Sequence, residues 1–123
     1  MTTLSPEAQK KLETAQNIWF ASVRPDGRPH LTPVWFAWAS GRLYVSIDPE
    51  GVKSRNIAQN SQVVLALEDG LHPVICEGKA APLDSPPPEE VLDIFMQKYE
   101  WDLRQEEQYS LVLQIAPQKW LAW

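Results

Sequence analysis

Residues 17–47, NIWFASVRPDGRPHLTPVWFAWASGRLYVSI, contain the pattern that decides the fold. Residues 18–23 alternate between two faces with a period of two, which is typical of a strand, and a Pro-Asp-Gly turn follows them. Residues 30–39 are rich in Thr, Val, Trp and Phe, and a Ser-Gly pair separates them from a third such run at residues 42–47. Short turns join antiparallel neighbours, so the stretch predicts three strands in a meander.

The rest of the sequence predicts further strands and a few short helices. Ser5 and Pro6 are typical of a helix start, and apolar residues return at helical spacing in residues 89–99. Pro33 cannot donate a ladder hydrogen bond, which favours a bulge or an edge strand, and Gly78 permits a bend or a close backbone approach. The predicted helices cover residues 6–14, 52–60 and 89–99, and the further strands cover residues 62–68, 73–82, 109–116 and 119–123, with a turn at Pro117. This pattern predicts a mainly β fold, an antiparallel β-barrel with a few short helices.

Composition and charge restrict the classes of function. The 123 residues are 44% hydrophobic, which suits one domain spanning residues 1–123. The net charge of -5 argues against a nucleic-acid or anionic-membrane partner, since both require a positive field. Cys76 is the single cysteine, no basic and then apolar signal segment follows Met1, and the longest apolar runs are far too short to span a membrane. We therefore expect a soluble, cytoplasmic protein.

Six tryptophans are many for a chain of this length. Large rings of this kind fill a core, an interface or a ligand site, and each carries an N–H group that needs a partner. We expect most of them in the core. Residues 120–123 are expected to be docked, because a chain end without contacts frays, and a dimer interface is one place for them. The six are Trp19, Trp35, Trp38, Trp101, Trp120 and Trp123.

Residues 53–56, Lys-Ser-Arg-Asn, are the main candidate for ligand chemistry. They begin a short predicted helix after a Gly-containing turn, where backbone N–H groups and the helix dipole favour an anion. The guanidinium of Arg55 matches phosphate oxygens and Lys53 adds a point charge, so the segment predicts a phosphate clamp. The alternative interpretation is that both cations are solvated surface charges, which is the commoner fate of such a string. The sequence contains no metal-ligand cluster, catalytic triad or glycine-rich nucleotide loop.

A series of short segments is specific in its order and spacing, although no single segment is diagnostic. The segments are residues 19–23 (WFASV), 25–30 (PDGRPH), 32–36 (TPVWF), 43–46 (LYVS) and 53–57 (KSRNI), then Asn60 with 63–67 (VVLAL), and finally Glu77-Gly78. Together they cover about half of the chain and resemble the pyridoxamine-phosphate-oxidase-like, FMN-binding split β-barrel family. The resemblance implies an antiparallel, Greek-key-like split β-barrel.

The resemblance also implies where a flavin binds. Family members are dimers with two flavin sites at the subunit interface, and basic residues after the third strand hold the cofactor phosphate. Lys53 and Arg55 match those positions. Ser46 stands where that strand offers a hydroxyl to the phosphate or the ribityl chain, and Asn56 supports the same cluster. The flavin ring lies against the second strand, largely through backbone contacts, which here come from Pro33, Val34, Trp35 and Thr32.

The remaining polar candidates are weaker. His72 lies near the point where a polar residue of the family pattern approaches the ring, but we interpret His72 and His30 as loop histidines. No catalytic residue and no metal site is assigned, because a bound flavin itself supplies hydride or electron transfer. Trp35, or the partner subunit's Trp123, is expected to shape the substrate side of the ring.

The resemblance implies a flavin-dependent oxidoreductase that acts on an unidentified small molecule. Vitamin B6 oxidases end in a basic segment, whereas this chain ends in QKWLAW, which argues against pyridoxine phosphate as the substrate. Shorter relatives include FMN-binding proteins and reductases that use the deazaflavin F420, and Lys53 and Arg55 suit either cofactor. FMN is preferred, because an acidic chain attracts the anionic F420 tail weakly. Two alternatives remain, a non-catalytic flavin-binding or storage protein and a ligand-free interaction module whose tryptophans bind another protein.

Overall fold

The computed structural model describes residues 4–123, which contain an antiparallel sheet of seven strands curled into a half-barrel with three short helices. The strands are β1 (Ile18–Val23), β2 (Pro29–Val34), β3 (Ala37–Ala39), β4 (Arg42–Ile47), β5 (Gln62–Ala66), β6 (Val74–Pro82) and β7 (Leu111–Ala122). The helices are α1 (Pro6–Thr14), α2 (Val52–Gln59) and α3 (Glu89–Tyr99), and a short 3-10 turn covers Leu103–Gln105. The strands follow the order β2-β1-β5-β6-β7-β4-β3 across the sheet. The predicted mainly β, antiparallel fold class is confirmed.

The second predicted strand is in fact two strands at opposite edges of the sheet. Residues 30–39 divide at Trp35 and Phe36 into β2, which pairs with β1, and β3, which pairs with β4. The prediction of one continuous strand in a three-strand meander is therefore wrong. The physical reason is that side chains of α3, and not a neighbouring strand, bind the backbone of Phe36. The edge position predicted for Pro33 is confirmed, because β2 is an outermost strand.

The last strand, β7, is continuous, and the turn predicted at Pro117 is wrong. Pro117 pairs with Gly78 beside a bulge at which the register of β6 and β7 shifts. Because a bulge locally interrupts the hydrogen-bond ladder, a strand tolerates a proline there. The close backbone approach predicted at Gly78 is confirmed, since an added Cβ would lie 2.6 Å from the carbonyl oxygen of Ala116.

The inner face of the half-barrel holds the main core. Alternate residues of each strand point inward, and Ile18 and Phe20 of β1 are at most 1% exposed. Helix α1 adds Leu12 to this core. The predicted cap of α1 is confirmed, because the Ala8 N–H donates to the Ser5 hydroxyl. Burial of an aliphatic or aromatic side chain of this size contributes about 1.5–3 kcal/mol, so these inward rows dominate the stability.

Helix α3 covers the outer face of only part of the sheet. Val91 and Phe95 of α3 are fully buried against Ala37 of β3 and Tyr44 of β4, as the helical spacing predicted. The outer face of β2, β1 and β5 has no such cover from residues 4–123. In the same described part of the chain, no helix has the length and apolar character needed to span a bilayer.

The uncovered part of the sheet presents apolar side chains in two rows. In one row Trp19 lies between its neighbours on β2 and β5, and in the other row Ala21 does the same. Leu31 is 59% exposed and Val64 is 39% exposed. We call the six residues of these rows the apolar face: Trp19, Ala21, Leu31, Pro33, Val64 and Ala66. A contiguous apolar surface of this kind usually marks an interaction site.

Of the two tryptophans at the end of the chain, Trp120 packs against the core and Trp123 is exposed to solvent. Trp120 is buried, and its ring meets Trp38 edge-on with the ring centroids 5.6 Å apart. Trp123 is 73% exposed. The expectation of a docked end therefore holds within this chain for Trp120 but not for Trp123.

We predict that Gly78→Ala lowers the free energy of unfolding by about 1–3 kcal/mol, because the new methyl group must displace the β7 backbone. Urea denaturation measures the change. Gly70→Ala is the matched control, since no atom lies within 4 Å of a Cβ at that position, and its effect is expected to stay within about 0.5 kcal/mol. Equal stability of the two variants would contradict the close contact between β6 and β7.

Candidate functional site

A cleft of about 820 Å³ opens where the end of β2 meets the start of α2. This volume is typical of small-molecule sites. The lining combines aromatic rings, one lysine and several carboxylates. It consists of Asn17, Pro33, Val34, Trp35, Ser46, Ile47, Asp48, Gly51, Val52, Lys53, Tyr99, Glu100, Trp101, Glu106 and Tyr109. We call it the main cleft.

Lys53 supplies the cationic side of the main cleft. The turn after β4 is tight, because Asp48 accepts the N–H of Glu50 on its side chain and the N–H of Gly51 on its carbonyl oxygen. This turn directs the first residues of α2 into the cleft. Lys53 is half-buried, and burial lowers the pKa of its ammonium group. A cation that is partly removed from water and has no ion pair within residues 4–123 favours an anionic ligand.

A second cavity of about 430 Å³ begins at the same end of α2, and Val52 lines both cavities. Arg55 is held there by donating from Nη1 to the carbonyl oxygen of Glu50 at 2.8 Å. We call this cavity the basic groove after its cationic and imidazole side chains, Arg24, Arg28, Arg55 and His30. Asp26 also lines it and forms an ion pair with Arg28 at 2.8 Å. The groove extends the positive region beyond Lys53.

Three buried side-chain atoms of the β1–β2 hairpin have no hydrogen-bond partner within residues 4–123: Nε of Arg24, Nδ1 of His30 and Oγ1 of Thr32. A buried polar atom left without a partner costs roughly 1–3 kcal/mol. Burial lowers the pKa of His30, and the nearby charges of Arg24 and Lys53 lower it further. Arg24 and His30 both line the basic groove, so cations and two of the unpartnered atoms lie together there, an arrangement that suits an oxygen-rich anion such as a phosphate.

The rings of the main cleft form a packed unit. Trp35 stacks on Tyr99 with ring centroids 4.4 Å apart and an interplanar angle of 5°, and it meets Trp101 edge-on at 5.7 Å. Phe95 supports both partners from the core at 5.8 Å and 5.6 Å. Trp35 nevertheless remains 47% exposed. We call Trp35, Tyr99 and Trp101 the aromatic wall, and its flat faces suit a flat ligand.

The backbone of Phe36 positions the aromatic wall. Its N–H donates to the Tyr99 hydroxyl at 3.1 Å, and its carbonyl oxygen accepts from Lys98 Nζ at 3.0 Å. Lys98 Nζ also lies 3.8 Å from the centroid of the Phe36 ring, and burial lowers the pKa of Lys98 to about 8. Because these contacts bind residue 36 to the end of α3, Trp35 lies directly against Tyr99.

Two carboxylates beside the wall differ in their surroundings. Glu106 accepts from Trp101 Nε1 at 2.8 Å and from the backbone N–H groups of Tyr109 and Gln108 at 2.9 and 3.0 Å. These hydrogen bonds lower the pKa of Glu106, and the one from the Tyr109 N–H has the largest effect. Glu100 ends α3 with a left-handed backbone, at φ 54°, and no hydrogen bond or ion pair within the described residues holds its carboxylate.

The structure brings most of the predicted cofactor-binding residues to one cleft. Asn56 is 1% exposed and donates to the Ser22 hydroxyl at 3.0 Å, so it lies behind the cleft in the core. Arg55 lies in the basic groove, and Thr32 holds one of the unpartnered buried atoms. The Ser46 hydroxyl is directed to the carbonyl oxygen of Tyr109. The predicted residues that line the main cleft are Lys53, Ser46, Pro33, Val34 and Trp35.

The sequence analysis missed the contribution of residues 99–109 to this cleft. Tyr99, Glu100, Trp101, Glu106 and Tyr109 all line it. The signal available in the sequence was a run of aromatic and acidic residues directly after an amphipathic helix. No spacing rule connects such a run to a lysine about fifty residues earlier, so only the folded chain reveals the contact.

Neither histidine lines the main cleft. His72 lies in the exposed loop between β5 and β6, as predicted, and its carbonyl oxygen accepts from Lys11 Nζ at 2.9 Å. A separate cavity of about 560 Å³ lies there, and Trp123 contributes to its lining. His30 is a half-buried residue of β2 that faces the basic groove, which confirms the strand predicted from residue 30 and not the interpretation of His30 as a loop residue.

The sequence over residues 4–123 matches the family described as pyridoxamine 5'-phosphate oxidase. The chain belongs to this family. The match spans the main cleft, the basic groove and the apolar face, so it confirms the family resemblance that the short segments indicated. No curated protein matches the chain.

Solved structures of similar fold bear several different descriptions. An F420 reductase is 22% identical, with a TM-score of 0.77, and the match covers 96% of this chain and 98% of that one. A conserved hypothetical protein of Mycobacterium tuberculosis is 20% identical, with a TM-score of 0.81 and coverage of 100% and 86%. HutZ, a heme storage protein of Vibrio cholerae, is 18% identical, with a TM-score of 0.78 and coverage of 98% and 95%. At these identities the likeness establishes the fold alone.

In this pyridoxamine 5'-phosphate oxidase family member, the half-buried Lys98 is expected to make stability depend on pH. Its pKa is about 8 in the folded chain, against the ordinary lysine value of 10.5. Between those pH values the unfolded chain binds the additional proton, so the free energy of unfolding should rise as the pH increases from about 8 to about 10.5. Urea denaturation across this range measures the rise.

Lys98→Met removes the titrating group while keeping the length of the side chain, so the rise should be smaller in this variant. Lys10→Met, on the exposed side of α1, is the matched control and should retain the wild-type profile. Parallel profiles for the wild type and Lys98→Met would show that the ammonium group is not penalised in the folded state.

Proposed function

We propose that this chain binds FMN in the main cleft and acts as an oxidoreductase on a small molecule. The observation that carries the proposal is the pairing of a half-buried, unpaired cation, Lys53, with the exposed flat ring of Trp35 in one cleft. FMN presents the matching chemistry, a phosphate at one end and a flat ring at the other. Membership of the pyridoxamine 5'-phosphate oxidase family supports the same cofactor class.

The residues of this chain have separate roles in the proposal. Lys53 binds the phosphate from the main cleft, and Arg55 adds a second cation from the adjoining basic groove. The backbone of residues 33–35 supports the flavin ring, and the aromatic wall keeps water from one side of the cleft. FMN, when bound, supplies hydride or electron transfer, so no side chain is needed as a general acid or base.

The deazaflavin F420 is the second candidate cofactor, and one specific observation favours it. The basic groove continues the positive region of Lys53 with Arg55 and Arg24, whereas Arg28 there is paired with Asp26. A ligand with a longer anionic tail than FMN would also use Arg24, whereas the phosphate of FMN needs only Lys53 and Arg55. The local charge in this groove offsets the acidity of the whole chain, which was the argument for FMN.

We also propose that two copies of the chain form a homodimer through the apolar face. The face is continuous with the main cleft, because Pro33 belongs to both. A second copy would therefore bury exposed apolar side chains such as Leu31 and would close one side of the cofactor site. A cytoplasmic location belongs to the same proposal, since Cys76 is a buried free thiol that no disulfide uses.

Lys53→Ala is expected to raise the dissociation constant for FMN by about 10- to 100-fold, since a hydrogen bond between charged partners contributes about 1.5–3 kcal/mol. Titration of the apo protein, followed by flavin fluorescence, measures the affinity. The double variant Lys53→Ala with Arg55→Ala should bind no flavin at the concentrations tested. Lys10→Ala, outside both cavities, is the control. FMN affinity that is unchanged in the double variant would refute the phosphate site.

The same titration distinguishes FMN from F420, and a reduction assay distinguishes an enzyme from a non-catalytic flavin-binding protein. If F420 is the natural cofactor, Arg24→Ala should weaken F420 binding more than FMN binding. Mixing FMN-loaded protein with reduced nicotinamide donors tests for catalysis. Fast bleaching of the flavin supports an oxidoreductase, whereas slow reduction by every donor supports a binding or storage protein.

Leu31→Glu is expected to convert the dimer into monomers, because it places a carboxylate without a partner in the centre of an apolar interface. Light scattering coupled to size-exclusion chromatography measures the mass. Leu71→Glu is the matched control, since Leu71 is 76% exposed in the loop between β5 and β6 and lies outside the apolar face. A monomeric wild type would refute the homodimer, and an unchanged dimer in Leu31→Glu would show that another surface forms it.

A further inference from the structure

One part of the main cleft combines flat rings with a single free carboxylate. Two polar groups of the aromatic wall are already used, the Tyr99 hydroxyl by the backbone of Phe36 and the Trp101 N–H by Glu106. Glu106 is occupied as well, because its carboxylate accepts three hydrogen bonds. The Glu100 carboxylate is therefore the acceptor beside the wall that remains available to a ligand.

The backbone of Glu100 indicates that its side chain is not there for stability. Glu100 has φ 54° at the C-cap of α3, a conformation in which glycine or asparagine is usual and a longer side chain is strained. Among residues 4–123, Ser40 is the one other non-glycine residue with a positive φ, and it lies between β3 and β4, outside the main cleft. Strain that is retained beside a cleft points to a functional role for the strained residue.

The charges of the cleft come from different elements. Lys53 lies in the first turn of α2, and Glu100 follows the last turn of α3. No ion pair joins them in the described chain, so each is free to bind a ligand group of opposite charge. Asp48 also lines the cleft, where one oxygen of its carboxylate accepts the N–H of Glu50 in the turn before α2, on the side of Lys53.

We propose that Glu100 determines substrate specificity, and that the substrate is a flat aromatic compound carrying a cationic or N–H donor group. The ring of the substrate packs on Trp101 of the aromatic wall, beside Glu100, and leaves the Trp35 ring to the flavin, and its donor group binds the Glu100 carboxylate. Compounds of the same shape with a negative charge are repelled by Glu100. This assignment rests on the proposed flavin site, since the anionic phosphate of the cofactor takes the side of Lys53 and leaves the side of Glu100 to the substrate.

Three flat probes of similar size test the assignment: N-methylquinolinium as the cation, quinoline as the neutral compound and naphthoate as the anion. Calorimetric titration into the FMN-loaded protein should show the tightest binding for N-methylquinolinium and the weakest for naphthoate. Glu100→Gln keeps the shape of the side chain and removes its charge. It should weaken N-methylquinolinium binding about fivefold, as expected for a partly solvated ion pair, and leave the binding of quinoline unchanged.

Two control variants separate specificity from general effects of charge and of backbone strain. Glu107→Gln removes a charge from the same loop outside the cleft and should leave all three affinities unchanged. Glu100→Gly and Ser40→Gly both relieve a positive φ, so each should raise the Tm by about 2–4 °C. Only Glu100→Gly should also lose the preference for the cation, and this combination of higher stability with lower selectivity is not expected for a structural residue.

The outcomes distinguish this assignment from the proposed function. Each variant is first titrated with FMN, and Glu100→Gln should retain the wild-type affinity. A wild-type protein that binds no FMN would overturn the cofactor proposal and, with it, the assignment of Glu100 to the substrate. Intact FMN binding with equal affinity for N-methylquinolinium and naphthoate, or an equal loss in Glu100→Gln and Glu107→Gln, would overturn the role of Glu100 alone.

Discussion

The backbone of Phe36, bound by the side chains of Lys98 and Tyr99, is the contact on which the rest of the structure depends. Its N–H and C=O groups would otherwise extend β2 into β3, but α3 satisfies them instead. The chain therefore passes from one edge of the sheet to the other at this residue, and the sheet remains a half-barrel. The same contact stacks Trp35 on Tyr99, so the division of the strand and the aromatic wall of the cleft have a common cause.

Several local costs converge on the main cleft and the basic groove. Lys53 is a half-buried cation without an ion pair, and three buried polar atoms of the β1–β2 hairpin lack partners within residues 4–123. Glu100 holds a conformation that disfavours its side chain. Costs of this kind persist where a ligand offsets them or where function requires them. Leu12, Phe20 and Leu43 of the inner core, by contrast, are fully buried hydrophobic side chains.

Features that depend on neighbours along the chain could be predicted from the sequence. The Ser5 cap of α1 and the spacing of Val91 and Phe95 in α3 are local signals, and both are confirmed. Pro117 was misleading, because a proline normally ends a strand. Its tolerance in β7 depends on Gly78, which lies far away in the sequence and pairs with it beside the bulge. A proline ends most strands, but the pairing with Gly78 allows β7 to continue through Pro117.

The sequence by itself determined the antiparallel β class, the family and the placement of Lys53 at a helix start, since each follows from short-range patterns or from segment order. Only the tertiary structure decided that residues 30–39 divide and that residues 99–109 complete the main cleft. The physical reason is that a hydrogen bond such as that from Phe36 to Tyr99 joins groups 63 residues apart. No pattern of local period or propensity records such a contact, because its free energy depends on the packing of α3 against the sheet.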